Sequence, residues 1–115
     1  MKISIIICSY NQAPYLEDAI LSVIQQDYPD VELLVVDGGS DDGSTDILDQ
    51  YASYFDYCVS EPDRGQTHAI NKGIDQATGE ILGWLNSDDI YLPGCLSKVA
   101  AAFGHGSQPN VVHGN

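Results

Sequence analysis

Gly83-Trp84-Leu85-Asn86-Ser87-Asp88-Asp89 is the end of an apolar run that stops on two adjacent carboxylates. Ile81 to Leu85 reads as a buried strand and Asn86 to Asp89 as the polar turn at its carboxyl end, because an unpaired carboxylate is too costly to bury deeper. In an open α/β sheet, ligands bind at that end of the strands. Asp88 and Asp89 are therefore candidates to hold a divalent metal and the polyphosphate it neutralises.

Outward from this stretch, β-branched runs recur at Ile3 to Cys8, Val31 to Val36, Tyr57 to Val59 and Val111-Val112. Helix-period segments separate the first four runs, which indicates parallel strands joined by crossover helices. Pro14 opens a first helix whose Leu16, Ala19, Ile20, Val23 and Ile24 recur at spacings 3, 4, 7 and 8. Ser44 is the expected N-cap of a second helix carrying Ile47, Leu48 and Tyr51. A third runs from Gln66 to Ala77, with Gly79 near its left-handed stop. Pro93 begins a fourth, with Leu96, Val99, Ala100 and Phe103 on one face. The expected fold is a three-layer α/β, Rossmann-like arrangement with a mostly parallel sheet in the order 3-2-1-4.

With 115 residues the chain forms a single domain. Gly104 to Pro109 reads as a loop and Asn110 to His113 as the start of a fifth strand, so the sequence stops mid-architecture. The expectation is the amino-terminal part of a longer protein. Seventeen acidic residues face four basic ones, a net charge of −13, which argues against nonspecific binding to nucleic acid or to an anionic membrane. A phosphorylated ligand then requires a cation or a local basic group at its site. Cys8, Cys58 and Cys95 lack CxxC spacing, no apolar run is long enough for a membrane span, and a reducing cytoplasm is the simplest compartment.

Three further stretches carry candidate chemistry. Val35-Val36-Asp37-Gly38-Gly39-Ser40 again ends a strand on an acid, and Asp37 there can accept hydrogen bonds from a base N–H or a ribose hydroxyl. Asp41, Asp42 and Asp46 read instead as capping and turn residues. Cys8-Ser9-Tyr10-Asn11 ends the first strand. If strand order reverses at strand one, Ser9, Tyr10, Asp37 and Asp88-Asp89 line a single pocket, where Tyr10 either stacks on a base or simply packs in its loop. Ser60 to Gly73 holds Arg64 and Lys72, two of the four cations, bracketing a helix start suited to phosphate. The bland readings are a surface Lys72 and an Arg64 paired with Asp63. His68, with no second His or Cys nearby, reads as structural.

In order and spacing, Ser4 to Asn11, Val35 to Ser40, Asp63-Arg64-Gly65, Asn71-Lys72-Gly73, Ala77 to Glu80 and Leu85 to Asp89 resemble the amino-terminal half of the family 2 inverting glycosyltransferases. The resemblance implies a GT-A-type fold binding a nucleotide-diphosphate sugar, with UDP as the expected nucleotide and Mn²⁺ or Mg²⁺ as cofactor. By position it makes Ser9, Tyr10, Asn11, Asp37, Arg64, Lys72 and Asp88 nucleotide-binding, Asp37 as reader of the base and Asp88 near the ribose. Asp89, with Asp88, becomes the metal site of a DXD-type motif. Two positions depart from the family pattern: Asn86 stands where Asp is frequent, and Cys8 where Pro is frequent.

The same resemblance implies transfer with inversion to a glycan or lipid-linked acceptor, in polysaccharide or cell-envelope synthesis, in the cytoplasm or peripherally at the inner face of the membrane. It leaves a homodimer open. The catalytic base is expected beyond Asn115, so no residue of this chain takes that role and the chain alone transfers little sugar. A non-catalytic nucleotide-sugar-binding or interaction module is the alternative. A phosphoacceptor receiver domain would need an acidic pair where Ser9-Tyr10-Asn11 stands.

Overall fold

The computed structural model describes residues 1–103 and 111–113, the backbone alone for 103 and 111–113. Its strands are β1 (Ile3–Ser9), β2 (Val31–Asp37), β3 (Tyr57–Ser60), β4 (Ile81–Asn86) and β5 (Val111–His113). Helices α1 (Ala13–Ile24), α2 (Ser44–Gln50), α3 (Gln66–Gln76) and α4 (Cys95–Phe103) alternate with them, and a short 3₁₀ turn, Ala52–Tyr54, follows α2. The sheet order is β3-β2-β1-β4-β5, with every described pairing parallel. The expected order of the first four strands is the observed one. The apolar face assigned to Phe103, and the loop 104–109 with Asn110, lie outside the described residues.

β1 is buried along its whole length because helices cover both faces of the sheet. Ile3, Ile5 and Ile7 pack with Leu16, Ala19, Ile20 and Val23 of α1, Leu48 of α2 and Leu96 of α4. Ile6 and Cys8 point the other way and pack with Leu34, Val36 and Ala69 of α3. The period-2 alternation of β1 therefore divides one strand between two cores. That produces the three layers.

Three local expectations need correction. Gly43, not Ser44, is the N-cap of α2, in the left-handed region at φ 99°, while Ser44 is the first helical residue and its hydroxyl donates to Asp42 Oδ1 at 2.6 Å. Pro93 precedes α4 by a turn instead of opening it: Cys95 N–H donates to Leu92 O at 3.1 Å before the helix begins. Gly79 is not a left-handed stop, since α3 ends on the extended Ala77. A Cβ on Gly79 would stand 2.4 Å from Ser4 Oγ and 2.8 Å from Ser4 N. Glycine is needed there for the close approach of two backbones.

The end of the sheet where the strands begin is tied by Glu32. Its carboxylate accepts from Ser4 Oγ at 2.7 Å, from Thr78 N–H at 2.8 Å and from Thr78 Oγ1 at 2.8 Å. Burial alone would raise this carboxyl, but those hydrogen bonds, with the nearby Lys2 charge, outweigh it and hold Glu32 below the usual carboxylate range. The opposite end of the strands carries the cleft.

Candidate functional site

The chain leaves β1 toward β2 and β3 on one side and returns to β4 on the other, so the outgoing loops diverge beside β1. They enclose a cleft of about 720 Å³, lined by Cys8, Ser9 and Tyr10 after β1, Gly38 after β2, Asp63 after β3, and Asn86, Ser87 and Asp88 after β4. Small-molecule sites occupy about 300–1,000 Å³. The rim is rigidly held: Gly38 N–H donates to Ser9 O at 2.8 Å and Ser87 N–H to Cys8 O at 3.0 Å, extending both ladders of β1 past its end. Gln66, in the first turn of α3, donates to Asn86 Oδ1 across the cleft.

Of the residues expected to form one pocket, Ser9, Tyr10 and Asp88 do so. Ser9 is 6% exposed, and its Oγ is buried without a hydrogen-bond partner among the described residues. Buried hydroxyls are normally satisfied, and this one belongs to a residue of the cleft lining, which leaves its hydrogen open to a bound group there. Tyr10 is 61% exposed, its ring free to cover a bound group. Asp88 is exposed on the wall and the half-buried Asp89 follows it, with its N–H donating to Asn86 O at 2.9 Å.

Asp37 is not on the wall. It is 0% exposed, and its carboxylate accepts from Gly39 N–H at 3.1 Å, Ser40 N–H at 2.8 Å, Ser40 Oγ at 2.6 Å and Ser60 Oγ at 2.8 Å. Its neighbour Gly38 lines the cleft instead. Asn11 is also engaged in the scaffold: its N–H donates to Ser40 Oγ at 2.8 Å and its Oδ1 accepts from Asp41 N–H at 3.0 Å. This clamp between the β1 and β2 loops holds Asn11 at φ 50°, a conformation that Asn tolerates better than most residues. Asp42 completes it, accepting from Ala13 N–H at 3.0 Å and Ser44 N–H at 3.1 Å. The Ser44 hydroxyl first, then the Ala13 amide, hold the Asp42 carboxyl below the usual range.

Lys72 is directed to Glu61, Nζ to Oε1 at 3.0 Å, and does not line the cleft. Arg64 is exposed at the turn before α3, between the lining residues Asp63 and Gly65 but not itself lining the cleft, and it makes no ion pair among the described residues, so the pairing with Asp63 is absent. His68 Nδ1 accepts from Arg64 N–H at 2.8 Å, the structural use expected of it. Among the described residues no group of three or more His, Cys, Asp or Glu is assembled for a metal. Asp88 lines the cleft and Asp89 does not, although the two are adjacent carboxylates of the kind a hard cation takes one or two of, completing its shell with phosphate oxygens and water.

Asp63, which the sequence offers as part of the Asp63-Arg64-Gly65 motif and as a partner for Arg64 but not as a site residue, lines the cleft. The parallel topology brings the loop after β3 to the same end of the sheet as the loops after β2 and β4, but which of its residues lines the cleft depends on a contact between loops. The Cys8 thiol is pushed up to about 12, chiefly by burial and then by the charge of Asp63, so it stays protonated at neutral pH. The cleft therefore offers hydroxyl, thiol and carboxylate groups beside an aromatic ring.

An uncharacterized glycosyltransferase of Nostoc sp. is 37% identical over 116 residues, covering 98% of this chain and 36% of that protein. The putative teichuronic acid biosynthesis glycosyltransferase TuaG of Bacillus subtilis is 36% identical over 99 residues, covering 84% and 39%. Among solved structures, S. aureus TarS 1-349 in complex with UDP-GlcNAc matches with a TM-score of 0.81 at 28% identity, over 90% of this chain and 31% of that one. Mannosyltransferase PcManGT from Pyrobaculum calidifontis, in complex with GDP-Man and Mn²⁺, matches with a TM-score of 0.83 at 28% identity, over 91% and 33%. The chain thus spans little more than a third of the length of these two relatives and about a third of these two solved chains. The profile of glycosyl transferase family 2 runs over residues 4–113, through every strand and all the loops that line the cleft, and the chain belongs to that family.

Proposed function

We propose that this chain is the donor-binding part of an inverting, metal-assisted glycosyltransferase, and that its cleft takes a nucleotide-diphosphate sugar. The observation that carries this reading is the buried, unpartnered Oγ of Ser9, a residue that lines a cleft at the strand mouth together with Asp88. Tyr10 covers the base, Asp88 accepts from a ribose hydroxyl, and Arg64, free of ion pairs among the described residues, meets the diphosphate. Asp37, Asn11 and Lys72 act one layer back, by fixing the loops that carry these groups.

Asp89, with Asp88, would hold Mn²⁺ or Mg²⁺. A cation bound there neutralises charge on the departing diphosphate. The chain's contribution is to orient the donor, leaving the face of the sugar opposite the nucleotide open to an acceptor hydroxyl. The base that deprotonates that hydroxyl lies outside these residues. The solved relatives with UDP-GlcNAc and with GDP-Man and Mn²⁺ support the donor class, and TuaG supports an envelope glycan as product.

Calorimetric titration of UDP and GDP sugars with and without Mn²⁺ tests the reading. Metal-dependent binding is expected, and Asp89→Asn should abolish the dependence on metal while the fold, followed by circular dichroism, is kept. Absence of metal-dependent binding to any of them would sink the proposal. Unchanged metal dependence in Asp89→Asn would remove Asp89 as the ligand.

A further inference from the structure

Two carboxylates stand on the cleft wall, and the donor-site reading gives a place to one of them. Asp88 approaches from the β4 side, and Asp63 from the turn between β3 and α3. Asp63 is half-buried, and its Oδ1 accepts from Gly65 N–H at 2.9 Å. No donor of the described residues reaches its Oδ2. That oxygen lies 3.0 Å from where a Cβ on Gly38 would stand, with Cγ and Oδ1 each at 3.3 Å. Gly38 does not have a positive φ, so its backbone imposes no need for glycine. What the missing side chain does is leave room for the Asp63 carboxylate.

Gly38 also joins this carboxylate to the orphaned hydroxyl. Its N–H donates to Ser9 O at 2.8 Å while Asp63 covers its open face. Ser9 and Asp63, each in touch with Gly38, thus bring to one cleft lining a hydroxyl that can donate and an acceptor-only carboxylate oxygen to which no donor of the described residues reaches. The complementary ligand edge is a ring N–H next to a ring carbonyl. Uracil, thymine and guanine present that edge. Cytosine and adenine present a lone pair at the corresponding ring nitrogen.

We propose that Asp63, admitted to the cleft by Gly38, is the residue that selects the nucleotide base, accepting the ring N–H of a uracil or guanine base whose carbonyl receives the Ser9 hydroxyl. Asp37, already saturated by four donors, holds the loop behind it. This rests on the cleft being the donor site. A lone pair facing Asp63 finds no donor and meets a negative charge, so the discrimination is by a half-buried carboxylate left unpaired.

The test is calorimetric titration of the protein with UDP, GDP, CDP and ADP in Mn²⁺, read as the ratio of UDP to CDP affinity. The wild type should prefer UDP and GDP over CDP and ADP by about tenfold or more, the lower end of what a hydrogen bond to a charged group gives. Asp63→Asn, whose amide can donate to the cytosine lone pair, should bring the ratio close to one. Gly38→Ala keeps its own N–H bond to Ser9 O, displaces the Asp63 carboxylate and should lower the ratio; it serves alone if Asp63→Asn is too unstable. A wild type without preference, or variants that bind UDP with the wild-type ratio, would overturn the assignment while leaving the donor site standing. Failure of the wild type to bind any of the four would overturn both.

Discussion

Asp37 and Asp88 look alike in sequence, each an acid at the end of an apolar strand, yet one is sealed and the other lines the cleft. The difference is two residues. Asp37 is still in the ladder, in register with Ser9 and Ser60, so backbone amides and hydroxyls surround it. Asp88 lies beyond the last strand residue, Asn86. Replacing Asp37 by Asn turns one acceptor into a donor facing N–H groups and should cost about 2 kcal/mol or more in urea unfolding, with nucleotide affinity falling only through loop disorder. Thus the sequence made the strand mouths legible, and with them Ser9, Tyr10 and Asp88. It set Asp37 and Asn11 on the wall, where a shift of one or two residues at a strand end decides what a side chain faces, and Lys72 at the phosphate, whereas inside α3 it is directed to Glu61. Asp63 was hidden for another reason: its position depends on the space above Gly38, a contact between two loops.

The helices that pack by periodicity were legible in their buried faces and less so in their ends. Leu16, Ala19, Ile20 and Val23 of α1 are buried as their spacing requires. Leu16→Ala should destabilise the fold by about 2–5 kcal/mol, measured by urea midpoint, since its fully buried side chain bridges α1 and β1. Helix starts depend on left-handed residues such as Gly43 and Gly94 and on tertiary partners, which carry no period. The Glu32 staple joins β2, β1 and the turn before β4. Because its folded carboxyl lies below the ordinary 4.5, its contribution is present above that pH and is lost as pH falls through the folded value. Glu32→Gln should therefore be less stable than wild type at neutral pH and converge with it in acid, as read from thermal midpoints across pH 3–7.

At the scale of the whole molecule, the net charge of −13 is opposed by one ion pair among the described residues, Lys72 with Glu61. Self-repulsion of this kind is relieved by screening. The thermal midpoint should rise between low and roughly 0.5 M NaCl, and rise further with millimolar Mn²⁺ if a cation is held at Asp88-Asp89. A midpoint that falls with salt would mean that attractive pairs dominate. No helix of the described residues is long and apolar enough to cross a membrane. The position of β1 has a further consequence for how the chain acquires its structure. Its partners are β2 on one edge and β4 on the other, so β1 stays half-paired until Ile81–Asn86 have emerged. Parallel pairings over such separations are slow to form, and during that interval an Ile-rich edge stands open. The strand that is most protected in the finished molecule is thus the most exposed to misassembly while the chain is being made.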